Sequence, residues 1–90
     1  MARIDFPSLS FPVEFRETYN AAGTQAFVSW LVSPAMPRGM SAQISSYYGQ
    51  FRLRTKAHGN GSIRFRNFKT YEEAQAAALH WLQRKVKEAA

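Results

Sequence analysis

The chain has 90 residues, 46% of them hydrophobic and 14% aromatic, which is enough for one small core and argues against wholesale disorder. It has no cysteine, which excludes disulfide frameworks, thiolate metal sites and cysteine nucleophiles, and no apolar run approaches the roughly 18 residues of a membrane span. The net charge is +6 and unevenly placed, because residues 18–71 hold seven Arg or Lys and no acid while all six acids lie outside them. A field concentrated in this way attracts polyanions.

The segment Met1–Pro7 lacks the apolar stretch of a signal peptide, so an intracellular (cytoplasmic) protein is expected. Leu9, Phe11, Val13 and Phe15 then alternate with Ser10, Pro12, Glu14 and Arg16, the period of a half-buried strand. Pro12 cannot donate to a ladder, which makes this an edge strand or leaves the proline on an unpaired side. Asn20–Gly23 reads as a turn. From Gln25 to Val32 the chain is apolar on both parities, compatible with a buried strand or a short helix capped by Thr24; its β-branched and aromatic content leans to strand. Residues 33–46, with two prolines, a glycine and four serines, read as an exposed loop with Arg38 at its tip and room for one helical turn after Ser41.

Tyr47–Lys56 and Ser62–Phe68 flank Ala57-His-Gly-Asn-Gly61 and predict a β-hairpin. Thr70-Tyr-Glu-Glu73 follows as a capping box, with Thr70 as N-cap and Glu73 reaching back. A helix is predicted over 71–88, burying Ala74, Ala78, Trp81, Leu82 and Val86. The whole is expected to be one α+β domain, an antiparallel sheet of three to four strands packed against one C-terminal α-helix.

Parity within the hairpin carries the functional expectation. Tyr47, Gly49, Phe51, Leu53 and Thr55 share one face; Tyr48, Gln50, Arg52, Arg54 and Lys56 share the other. If Ile63 and Phe65 join Phe51 and Leu53 under the helix, then Arg64 and Arg66 join Arg52, Arg54 and Lys56 on the opposite face. Like charges opposed across strands are destabilising, and a use for such a face is to meet phosphates. Lys69 and Arg38 extend the cationic set, and Tyr48 and Gln50 lie beside it.

Residues 47–82 resemble the plant AP2/ERF DNA-binding domain and the arm-binding domains of phage and transposon integrases. The resemblance lies in Gly49-Gln-Phe-Arg-Leu-Arg-Thr55, in Ser62-Ile-Arg-Phe-Arg-Asn-Phe68 and in Phe68-Lys-Thr-Tyr-Glu-Glu-Ala74 leading into Ala76–Ala78. It implies a three-stranded sheet whose basic face enters the major groove, with Arg52, Arg54, Arg64 and Arg66 as the DNA-facing residues.

Catalysis finds no footing in the sequence. His58 sits in a Gly-rich turn with no acid near it in the chain, His80 lies within the predicted helix next to Trp81, Glu72 and Glu73 are explained by the helix start, and no phosphate loop, nucleophile elbow or HExxH motif occurs. No enzyme, metal or cofactor is expected. The expected function is non-enzymatic binding of nucleic acid, double-stranded DNA foremost. The alternative is a small phage-type inhibitor, such as an anti-CRISPR or host-takeover protein, that docks on an acidic host protein surface or a nucleoprotein complex. A third reading uses the strand edge near Phe11–Tyr19 for homodimerisation. No membrane partner is expected.

Overall fold

The computed structural model describes residues 4–19, 27–57 and 63–89. Five strands follow one another in space as in the chain: β1 (Glu14–Tyr19), β2 (Phe27–Val32), β3 (Ser41–Tyr47), β4 (Gln50–Lys56) and β5 (Ile63–Phe68). Every neighbouring pair is antiparallel, and one helix, α1 (Tyr71–Ala89), covers one face. The α+β class is as the sequence predicts, with five strands in place of three or four. The Asn20–Gly23 turn, Thr24 and the tip of the β4–β5 connection (58–62) lie outside the described residues.

The additional strand is β3, in the segment read as loop. A turn at Tyr48–Gly49, inside what the sequence presents as one long strand, creates it. Both residues have positive φ, 46° and 78°, between the paired Tyr47 and Gln50. That is the two-residue type I′ connection whose twist matches the flanking strands. The helical turn foreseen after Ser41 is therefore replaced by strand. Two tight turns take up the rest of the segment. In the first the amide of Met36 donates to the Ser33 carbonyl at 3.1 Å; in the second Met40 donates to Pro37 at 3.1 Å, with Gly39 at φ 84°.

The core lies between the sheet and α1. Leu31, Ala42, Ile44 and Leu53 meet Ala74, Ala78, Leu79, Trp81 and Leu82, and Val86 packs against this cluster. Ala74 and Ala78 are fully buried, so the helix backbone lies close on the strands. Thr70 caps the helix: its Oγ1 accepts from the Glu73 amide at 3.2 Å and donates to the Glu73 carboxylate at 3.0 Å. Tyr71 ties the helix to β2 through a 2.6 Å hydrogen bond with the fully buried Ser29. Burial raises the Tyr71 hydroxyl above its ordinary pKa; the bond to Ser29 opposes the shift, and the nearby Glu17 carboxylate adds to it.

Residues 9–13 keep their alternation without joining the sheet. Leu9, Phe11 and Val13 are half-buried against the core while Ser10 and Pro12 are exposed. The segment runs beside α1, where His80 Nε2 donates to the Asp5 carbonyl (2.8 Å) and Gln83 to that of Ser8 (3.3 Å). At its far end Ser33 Oγ donates to the Pro12 carbonyl (2.8 Å). Both N-terminal segment and helix lie on one side, and among the described residues the other face of the sheet is left open. Among the described residues no helix is long and apolar enough to cross a membrane.

Candidate nucleic-acid interface

The register defines the open face row by row. One row crosses all five strands as Arg16, Trp30, Gln43, Arg54 and Phe65, and the next as Thr18, Val28, Ser45, Arg52 and Asn67. Beyond them Ser41, Lys56 and Ile63 form a third row, and Tyr47 pairs with Gln50 at the hairpin end. Cations and aromatic rings thus alternate on one surface. Trp30 is 40% exposed and Phe65 54% exposed. At about 4.8 Å per strand step, these two rings stand roughly 14 Å apart, with Arg54 between them.

The rings and cations are held in place. The Arg52 guanidinium lies 3.6 Å from the Tyr47 ring centroid and 5.2 Å from that of Phe65. Its Nε also donates to Asn67 Oδ1 at 3.4 Å, so the planar group is braced on two strands. Tyr48, 91% exposed in the turn, sets its ring edge-on to Tyr47 at 4.7 Å. Arg16 pairs with Glu14 at 3.4 Å, an exposed contact of little energetic weight. Among the described residues no group of three His, Asp or Glu is placed to hold a metal ion.

The expected five-cation face is divided. Arg52, Arg54 and Lys56 do share the open face, and Gln50 joins them. Arg64 and Arg66 pair with Thr55 and Leu53 and stand on the helix side, whereas Ile63 and Phe65, expected beneath the helix, are exposed on the open face. The physical reason is Phe68. It shares parity with Arg64 and Arg66, pairs with Phe51 and packs against the core, so the strand faces the way its C-terminal anchor requires. Tyr47 is likewise on the open face and not beside Phe51, because the turn separates them. Tyr48 belongs to the turn, not to a strand face. Arg38 is exposed at the Lys56 end of the sheet and Lys69 at the opposite end, so these two do not come together.

The sequence did not single out Trp30, nor its open-face neighbours Arg16, Gln43, Phe65 and Asn67. For Trp30 the signal was present: β2 is apolar on both parities, and a sheet covered on one face must leave one of those sets outward. Comparison with protein-family models, with curated proteins and with solved structures returns no match to this chain.

Proposed function

We propose that the open sheet face binds single-stranded nucleic acid without catalysis. The observation that carries this reading is the row Arg16–Trp30–Gln43–Arg54–Phe65, in which exposed rings alternate with cations and an amide. Rings on a platform stack on bases, arginines meet phosphates, and amides such as Gln43 and Asn67 can hydrogen-bond base edges. The duplex expected from a purely basic face gives way to an unpaired strand here, since a ring can stack only on a base whose face is free. Each base–aromatic contact is worth about 1–3 kcal/mol, so two or three rings weigh as much as the charge term.

The test is fluorescence anisotropy with a labelled single strand and its duplex between about 50 and 200 mM salt. The single strand should bind more tightly. If Arg52, Arg54 and Lys56 each neutralise one phosphate, the log–log salt slope should be roughly −2, at about 0.7 per phosphate on a single strand. The variant R54E/K56E should fold normally and bind at least about tenfold more weakly. Tighter duplex binding, or a charge-swapped variant that binds like the parent, overturns the reading.

A second reading draws on the same row, because Trp, Tyr and Arg also dominate protein–protein hot spots. Under it the face docks on an acidic protein surface, as an inhibitor would, and oligonucleotide binding is weak and disappears at the upper salt.

A further inference from the structure

Strand β5 wears its side chains in the reverse of the usual order. Its outward set is Ile63, Phe65 and Asn67, and its helix-side set is Arg64, Arg66 and Phe68. Two arginines therefore stand on the helix side of the sheet, exposed on its edge strand, where that side ordinarily carries apolar residues. The helix meets them with His80 and Arg84, one turn apart and on the same side as Trp81. Between strand and helix lies a cleft of about 660 Å³ whose lining includes Arg64, Phe65, Arg66, His80, Trp81 and Arg84. A smaller cavity of about 270 Å³ shares Arg64, Trp81 and Arg84 with it and adds Lys85. Among the described residues no carboxylate lines either space.

Within the described residues the charge in this cleft is left unneutralised. Among the described residues Arg64, Arg66 and Arg84 make no ion pair, and Arg66 has only the Phe68 ring, 5.0 Å away. Lys85 is bound to Glu88 at 3.2 Å. His80 is anchored by donating Nε2–H to the Asp5 carbonyl. Three arginines lining one space of this size suit a ligand carrying a phosphate dianion or more, not a single carboxylate. The volume falls in the range of small-molecule sites, and Trp81, Leu53 and Ala77 add an apolar part to its lining.

We propose that the cleft between α1 and β5 binds the phosphate monoester end of a nucleotide, either a free nucleotide or the terminal phosphate of a nucleic-acid strand. The arginines of this site stand on the opposite side of the sheet from Arg54 and Trp30, and of the open-face row it shares only Phe65, on the edge strand β5.

The test is calorimetric titration of the full chain with AMP and with adenosine, and anisotropy with one single-stranded oligonucleotide carrying either a 5′-phosphate or a 5′-hydroxyl. AMP should bind at least about tenfold more tightly than adenosine, the value of one charged hydrogen-bonded contact. The R64Q/R84Q variant, altered at two exposed positions and checked for folding by circular dichroism, should lose that preference, while R54E on the open face should keep it. A tighter 5′-phosphorylated strand together with AMP binding identifies the shared phosphate end as the ligand. AMP binding without any 5′-phosphate effect assigns the site to free nucleotides. If AMP and adenosine bind alike and the two strands bind alike, or if R64Q/R84Q retains the preference, the proposal is wrong. Failure of the open-face reading would show in R54E instead, so the two outcomes are separable.

Discussion

Tyr48 and Gly49 show how much one turn decides. Both sit in the left-handed region, where a β-carbon costs roughly 1–2 kcal/mol and Asn-Gly is the preferred pair. A β-carbon at Gly49 would meet nothing within 4 Å, so its φ of 78° is the whole reason for the glycine. Gly49→Ala should therefore lower stability by about 1 kcal/mol in urea denaturation, and Tyr48→Asn should raise it by a similar amount. Strain of this kind persists where it serves something. Here the turn projects the Tyr48 ring beyond the end of the open face, beside Tyr47 and the stacked Arg52.

Between elements, the bond joining α1 to β2 gives a pH signature. Tyr71 is neutral in the fold and its pKa is raised, mainly by burial. The unfolded chain ionises this group at about 10, so the stability it contributes is complete below that pH and is lost as pH rises through the higher folded value. Tyr71→Phe leaves the buried Ser29 hydroxyl without this partner and should cost about 1–3 kcal/mol at neutral pH. The difference between parent and variant should shrink above pH 10, as thermal denaturation across an alkaline series would show; a constant difference would contradict the assignment.

The elements also mark what the sequence discloses. The helix start at Thr70, its alanine-rich buried stripe and the inward parity of Phe51, Leu53 and Thr55 are all legible, because local periodicity determines them. β3 was hidden by its serines and by a Tyr-Gly turn that lacks the usual Asn or Asp. The β5 register was hidden by a conflict between two apolar sets, Ile63 and Phe65 against Phe68. Only tertiary packing resolves that conflict: Phe68 sits beside the Phe51–Tyr71 ring pair, and its anchoring turns both arginines toward the helix.

At the scale of the molecule, a net charge of +6 is divided between two surfaces by a single sheet. The open face carries Arg52, Arg54 and Lys56 among exposed rings, and the helix-side cleft carries Arg64, Arg66 and Arg84 around Trp81. The chain has two tryptophans, and each belongs to one of these surfaces. Their indole N–H signals in a ¹⁵N-correlated NMR spectrum, assigned with Trp30→Phe, therefore report the two faces separately. The most direct test is to titrate the labelled protein with a single-stranded oligonucleotide bearing a 5′-hydroxyl. The Trp30 resonance should shift progressively to saturation while that of Trp81 stays in place. A bound strand that moves Trp81 and leaves Trp30 unmoved would contradict the open-face reading.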